Sequence, residues 1–248
     1  MRRVALMWLA LAMSTSPAAA DTIALNGFNN NTAATVTFDD GAGHSGSINT
    51  QLTQFNVTFT GVGPPLTFDT FSIDLFHTVT AGQIYLVNTR GDVATAFVNG
   101  SRIAYIFQTY GLSDLTSNPD QAAAVQLALW DLSLNNHNPT SFQVDGDGTY
   151  SSGDQNVFSV SFGSNPDASH IAGLTAQFLS ASIGASTQGS WLDAAAAGDA
   201  PNRGESLLRR VPEPSSGLLT LLGLGALGAW GLRSRRGRRG DAAERCSP

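Results

Sequence analysis

The residues best suited to bind a metal ion are the aspartates Asp145 and Asp147, with Asp154 nearby. They belong to an Asp-Gly-Asp-Gly run, and carboxylates at alternating positions are typical calcium ligands. An EF-hand loop requires a glutamate at its twelfth position, where this sequence has Asn156. We therefore expect a solvated acidic hairpin here, and the sequence leaves weak calcium binding open.

Other catalytic and metal-binding chemistry has little support in the residue types. The four histidines are scattered, at His44, His77, His137 and His170. No two of them have the spacing of a zinc motif. The single cysteine, Cys246, excludes an intramolecular disulfide, and the complete absence of lysine excludes Schiff-base chemistry. We expect no cofactor, no metal and no enzymatic activity.

The charge of the central region excludes nucleic acid as a partner. Between Asp21 and Ala200 the sequence has fifteen Asp, no Glu and two Arg, which gives 2 − 15 = −13. The whole chain has a net charge of only −6, because most of its thirteen arginines lie near the two ends. Binding to phosphates requires a basic surface, whereas an acidic surface keeps an exported protein soluble.

The first twenty residues, 1–20, have the three parts of a secretory signal peptide. Two arginines come at the start, an apolar run follows over 4–13, and Ala18-Ala19-Ala20 supplies small residues for cleavage. The apolar run is too short to span a bilayer comfortably. We expect cleavage before Asp21 and export of the chain that follows.

A second patterned segment covers residues 211–239. It begins with Pro212, Glu213 and Pro214 and continues with an uncharged, mostly apolar run over 215–232. It ends in a cluster of five arginines: Arg233, Arg235, Arg236, Arg238 and Arg239. An apolar run of about 18 residues can just cross a bilayer as a helix. The arginines are then retained on the cytoplasmic side as a membrane-stop cluster.

This order of parts resembles the PEP-CTERM sorting signal, with residues 240–248 as a short tail. The resemblance implies that exosortase, a membrane-bound protease-like enzyme, processes the chain near Pro212–Pro214. It also implies that the protein is held transiently in a bacterial inner membrane and then reaches the cell surface or the extracellular matrix. Its further partners would be an exopolysaccharide or a surface protein.

The elements that position the central residues follow from the spacing of apolar residues. Alternation predicts strands over 34–38, 55–60, 68–76, 83–88, 94–99 and 158–162. Helical spacing predicts a short helix around 103–110 and longer helices over 119–134 and 167–181. The 119–134 helix has Asn118 as its N-cap and Pro119 in its first turn.

These elements predict an α+β fold, a single mostly-β domain over 21–184 with two or three central helices, followed by a C-terminal transmembrane helix. Residues 185–210 are small, polar and rich in Gly and Ala around Trp191. This composition predicts a flexible tether between the domain and the membrane anchor.

Two passages in the central region resemble the thioester domains of bacterial surface proteins. The first is Phe-Ser-Ile-Asp, with Ser72, and the second is Gln-Leu-Ala-Leu-Trp, which begins at Gln126. In that family a cysteine thiolate attacks a glutamine side chain and releases ammonia, and the stored thioester captures a partner surface. The resemblance places Ser72 at the cysteine position and Gln126 at the glutamine position.

The serine at position 72 argues against this covalent chemistry. A serine hydroxyl is a weak nucleophile unless a base lies beside it. His77 lies five residues along a predicted strand and therefore projects to the opposite face. We expect a hydrogen bond between Ser72 and Gln126, not a cross-link.

The sequence therefore predicts a non-enzymatic surface or matrix protein, with a role either in non-covalent adhesion or as a structural part of the exopolysaccharide matrix. One alternative is a covalent adhesin that uses a Ser72–Gln126 ester. Another is a hydrolase of exopolysaccharide, which needs two carboxylates facing one cleft. The ligand, the oligomeric state and the biological process are not indicated by the sequence.

Overall fold

The protein was analysed as a computed structural model. It describes residues 21–39, 45–61, 64–75, 80–134, 139, 141–144, 149–152, 158–196 and 203–209. The chain divides into two units, 1–210 and 211–248, and all the described residues belong to the first. The signal peptide, the sorting segment, the acidic hairpin and His44, His77 and His137 lie outside the described residues.

Eleven strands and four α-helices form the described part of the chain. The strands are β1 Thr22–Phe28, β2 Thr32–Asp39, β3 Ser45–Leu52, β4 Phe55–Thr60, β5 Leu66–Thr70, β6 Ile84–Asp92, β7 Phe142–Val144, β8 Tyr150–Ser152, β9 Phe158–Ser161, β10 Ser190–Ala196 and β11 Arg203–Arg209. The helices are α1 Val93–Ala96, α2 Gly100–Ile106, α3 Pro119–Leu134 and α4 Ala168–Ala181, and a π-helical turn, Phe107–Gly111, follows α2. The predicted α+β class is confirmed.

The first sheet has six strands in the order β11-β10-β6-β1-β4-β5 and closes on itself. Just beyond β5, Ser72 forms an antiparallel bridge with Leu207 of β11. The Leu208 backbone N–H also donates to the Phe71 carbonyl at 3.1 Å. These contacts join the two outer strands around a separate hydrophobic core: Ile23, Leu25, Phe55, Val57, Tyr85, Val87, Leu192 and Leu207.

The second sheet has five strands in the order β3-β2-β9-β8-β7. Along β2, Thr32, Ala34, Val36 and Phe38 are buried, and the residues between them are exposed or half-buried. This alternation places one face of the sheet on the main core and leaves the other face to solvent. The solvent-facing side chains of β2 and β3 pair across the strands, as in the hydrogen bond between Thr35 and Asn49.

Helix α3 lies at the centre of the main core. Its N-terminus is capped as predicted, because Asn118 Oδ1 accepts from the Gln121 backbone N–H at 3.3 Å. Asn118 Nδ2 also donates to Gln121 Oε1 at 3.0 Å, whereas the Asn118 backbone N–H, which a capping box would use, donates to the Leu115 carbonyl. The burial of α3 extends beyond the apolar stripe of Ala122, Val125, Leu129 and Leu132 that helical spacing predicts. Gln126, Trp130 and Asp131 are also buried. Helices α2 and α4, the π-helical turn and β2 and β3 all pack against α3, so several of its sides are covered.

Three segments differ from the expectation. Residues 94–99 were expected to form a strand, but α1 covers Val93–Ala96 because Asp92 caps it through the Ala94 N–H. The expected strand 68–76 is regular only to Thr70, where β5 ends. Residues 185–210 contain β10 and β11 and not only a flexible tether. Leu192, Leu207 and Leu208 are buried there, and this burial fixes the strands despite their small, polar neighbours.

Among the described residues, no helix is both long and apolar enough to cross a membrane. The transmembrane helix expected over 215–232 lies outside those residues.

Candidate functional site

Ser72 lies between the two cores, just after β5. Ser72 and the preceding Phe71 are tied to β11 through the backbone bridge and hydrogen bond described above. Thr70 also donates its side-chain hydroxyl to the Leu208 carbonyl. The Ser72 side chain is completely buried. Its position is therefore set by the closure of the first sheet.

The Ser72 hydroxyl is fully engaged with the backbone of Asp74. Its Oγ donates to the Asp74 carbonyl at 2.8 Å and accepts from the Asp74 N–H at 3.0 Å. A serine that bonds to the backbone two residues ahead forms a local turn. This turn accounts for the end of the strand at this point, and it occupies the hydroxyl proton that a nucleophile would have to release.

Gln126 approaches Ser72 from the middle of α3. Its carboxamide Nε2 donates to the Ser72 backbone carbonyl at 2.7 Å, and the side chain is completely buried. The structure thus brings together the two residues that the sequence singled out. The expected hydrogen bond between Ser72 and Gln126 is present, and it uses the Ser72 backbone carbonyl and not the hydroxyl.

The carbonyl end of the same carboxamide has no hydrogen-bond partner. Within the described residues, Gln126 Oε1 is buried and accepts no hydrogen bond. An unsatisfied buried acceptor costs about 1–3 kcal/mol. The hydrogen bond from Nε2 to the Ser72 carbonyl holds the Gln126 carboxamide in one orientation. It is not activated, because no described group donates to the oxygen that would carry the developing negative charge.

Arg102 is a buried cation whose place the sequence did not reveal. Its side chain contacts the C-terminal end of α4. Its Nε donates to Ser182 Oγ at 2.9 Å, and its Nη2 donates to the Leu179 carbonyl at 2.8 Å. The same Nη2 donates to the Pro139 carbonyl at 2.6 Å. Burial lowers the pKa of Arg102, and the negative charge of Asp131 on α3 raises it. The only sequence signal was one arginine within an otherwise apolar segment.

Two other groups have shifted pKa values. Burial raises the pKa of Tyr110, and the neighbouring Tyr105 raises it further. Tyr110 stacks on Phe178 of α4 with 4.1 Å between ring centroids, so the phenol serves packing. At the surface, hydrogen bonds from the hydroxyl and the N–H of Thr116 lower the pKa of Asp114.

The described residues contain no group of three or more His, Cys, Asp or Glu side chains placed to hold a metal ion. His170 Nδ1 lies 2.8 Å from Asp120 Oδ2, so this pair joins the start of α4 to the start of α3. The contact is exposed and ties two helices together.

The solvent face of the second sheet is lined mainly by small polar side chains, with the carboxylate of Asp39 at the end of β2. We call this surface the hydroxyl–amide face: Thr35, Thr37, Ser47, Asn49, Gln51, Ser159 and Ser161. Near its end is a shallow groove of about 350 Å³. Ala33 and Gly163 lie among the residues that line this groove, together with Thr35, Asn49 and Ser161. The lining contains hydroxyl and amide groups and no carboxylate.

Comparison with known proteins yields one match. Residues 210–236 match the PEP-CTERM protein-sorting motif. No curated protein and no solved structure matches the chain. The match overlaps the segment identified in the sequence as 211–239 and contains the Pro-Glu-Pro motif, the apolar run and three of the five arginines. The chain is therefore one that carries a PEP-CTERM sorting motif, which indicates an exported protein that passes through a membrane-anchored intermediate and is a substrate of exosortase.

Proposed function

We propose that this exported chain is a non-enzymatic surface or extracellular-matrix protein that adheres to exopolysaccharide without a covalent bond. In this proposal its domain is a thioester-domain relative that has lost the reactive cysteine. The main support is the arrangement at Ser72, whose hydroxyl is bound to Asp74 while Gln126 bonds to the Ser72 carbonyl. No ester can form until both sets of hydrogen bonds are broken.

The intact mass of the exported chain tests whether covalent capture occurs. An ester between Ser72 and Gln126 would join Oγ to the Gln126 side-chain carbon and release Nε2 as ammonia. We expect the full sequence mass and no adduct after incubation with methylamine, because the serine lacks a base and its proton is bound. A mass lower by one ammonia that gains methylamine would establish the covalent alternative.

The variant Ser72→Cys is the matched control for that measurement. A thiolate is a better nucleophile and a better leaving group than a hydroxyl. If the pocket retains a thioester-domain geometry, we expect part of this variant to lose one ammonia and to take up methylamine. The double variant Ser72→Cys with Gln126→Ala should retain its full mass. An unmodified Ser72→Cys protein would contradict the proposed relationship to thioester domains.

We propose that the hydroxyl–amide face is the adhesive surface. Its side chains can both donate and accept hydrogen bonds, as the hydroxyl groups of a neutral polysaccharide require. The central region has a charge of −13, which disfavours strongly acidic polymers through repulsion. The groove lining carries no carboxylate pair, so this surface gives no support to the hydrolase alternative.

Binding to immobilised neutral and acidic polysaccharides tests this surface. We expect retention on a neutral polymer such as dextran and less on alginate. The double variant Thr35→Val with Ser161→Ala removes two hydroxyls from the groove and should weaken binding, since each lost hydrogen bond is worth about 0.5–1.5 kcal/mol. Thr67→Val, at an exposed threonine of β5, is the control and should bind normally. Equal binding by the two variants would exclude the groove as the contact.

A further inference from the structure

The outer strands of the two sheets are protected to different degrees. In the first sheet, β5 and β11 are joined through Ser72 and Leu207. In the second sheet, β7 has only three residues and packs against α4. The remaining outer strand is β3, Ser45–Leu52, which has eight residues. In the described part of the chain, no strand lies on the side of β3 away from β2.

β3 lacks the features that normally prevent edge strands from pairing with other chains. Its sequence, SGSINTQL, contains no charged residue and no proline. All eight residues pair with β2 in one continuous register, from Thr32 with Leu52 to Asp39 with Ser45, without a bulge. Natural proteins usually protect an exposed edge with charges, proline, bulges or short length. An eight-residue edge without any of these can accept a further strand.

The backbone of β3 supplies hydrogen-bonding groups at regular intervals. In an antiparallel ladder, alternate residues direct their N–H and C=O towards the neighbour on one side. Half of the residues of β3 therefore bond to β2, and the other half direct their backbone groups to the open edge. On its solvent face β3 presents Ser47, Asn49 and Gln51, while Ile48 packs partly against the core.

We propose that β3 is an interface at which two copies of this chain join through antiparallel pairing of their β3 strands. This inference does not depend on the proposed polysaccharide binding. The two five-stranded sheets would then form one continuous sheet of ten strands. Residues that lie opposite each other across the interface point to the same face of the sheet, and the side chains of β3 alternate between the two faces. The core faces of the two copies therefore lie on the same side only if even-numbered residues pair with even-numbered ones and odd with odd. Examples are Ile48 with Ile48 and Ser47 with Asn49.

A second copy supplies an identical open edge of eight residues, and the charge distribution permits its approach here. The central region carries −13, so two copies repel each other over most surfaces. β3 is uncharged along its whole length, and its small polar side chains can face their own copies without a clash of charge. An uncharged edge on an acidic domain is therefore the place where two identical domains can approach closely.

Cysteine cross-linking in the full chain tests this proposal. In a Cys246→Ser background, single variants Ser47→Cys and Asn49→Cys place one thiol on the solvent face of β3. A register that pairs Ser47 with Ser47, or Asn49 with Asn49, brings the thiols of one variant within the Cα separation of about 4.4–6.8 Å that a disulfide requires. The register that pairs Ser47 with Asn49 instead places each thiol about 7–8 Å from its own copy and directly opposite the thiol of the other variant. We therefore expect mild oxidation to give a disulfide-linked dimer with at least one of the two variants or with an equimolar mixture of them.

Thr37→Cys is the matched control, because Thr37 lies on the same face and pairs with Ser47 but belongs to β2. Across the proposed interface the two Thr37 residues are three strand spacings apart, about 14 Å, which is too far for a disulfide. Adding Ser45→Lys to the Ser47→Cys and Asn49→Cys variants should abolish their cross-linking. Four outcomes would each overturn the proposal. They are failure of both edge variants and of their mixture to cross-link, equal cross-linking of the Thr37 control, capture of a different protein, and indifference to the added lysine.

Discussion

A chain that ends at Gly184 should fail to fold, whereas a chain that ends at Arg210 should unfold in one cooperative transition. The shorter chain lacks β10 and β11, which complete the first sheet beside β6. It loses the buried side chains of Leu192, Leu207 and Leu208. Burying a leucine contributes about 1.5–3 kcal/mol, so the three together contribute about 5–9 kcal/mol. That loss is comparable to the whole stability of a typical domain, about 5–15 kcal/mol.

Urea unfolding followed by circular dichroism measures this effect on the two chains. A point variant separates burial from truncation: Leu207→Ala should cost about 2–5 kcal/mol. Ile183→Ala, at a residue that is 53% exposed, should change the free energy of unfolding far less. If the chain that ends at Gly184 unfolded at the same urea concentration as the longer chain, residues 185–210 would be a tether after all.

Arg102→Met should destabilise the domain by about 3–5 kcal/mol, because it removes one partner of a buried pair of charges. Arg102 is 6% exposed, and it interacts electrostatically with Asp131, which is completely buried. It also donates to the Leu179 carbonyl and to Ser182, which ends α4. A cation at a helix C-terminus satisfies its last carbonyls and interacts favourably with the helix dipole. The free energy of unfolding in urea measures the loss.

Two companion variants identify the physical cause. Arg102→Lys retains the charge but not the planar fork of donors, so we expect a smaller loss than with methionine. The double variant Arg102→Met with Asp131→Leu removes both charges and should be more stable than Arg102→Met alone, because no charge is left buried without its partner. A loss below about 1 kcal/mol for Arg102→Met would show that the pair does not hold α4 in place.

Local residue patterns predicted the two longer helices, α3 and α4, well and the strands unevenly. Helix α3 spans the predicted residues, because Asn118 and Pro119 define its start through local hydrogen bonding. Strand β4 likewise has the predicted bounds, Phe55–Thr60, since its residues alternate regularly. Strand β3 was missed, because a solvent-facing edge strand of Ser, Asn and Gln has little apolar alternation to detect. Its pairing with β2 is what makes it a strand.

Residue order was enough to identify the sorting motif, the acidic character of residues 21–200 and the interest of Ser72 and Gln126. These properties depend on the composition or the order of residues along a short stretch of chain. Packing of the whole domain was needed to show that β10 and β11 close the first sheet, that Arg102 is buried, and that the Ser72 hydroxyl binds Asp74. Each of these depends on contacts between distant parts of the chain or on a side-chain orientation, and residue types do not specify such geometry until the elements are packed together.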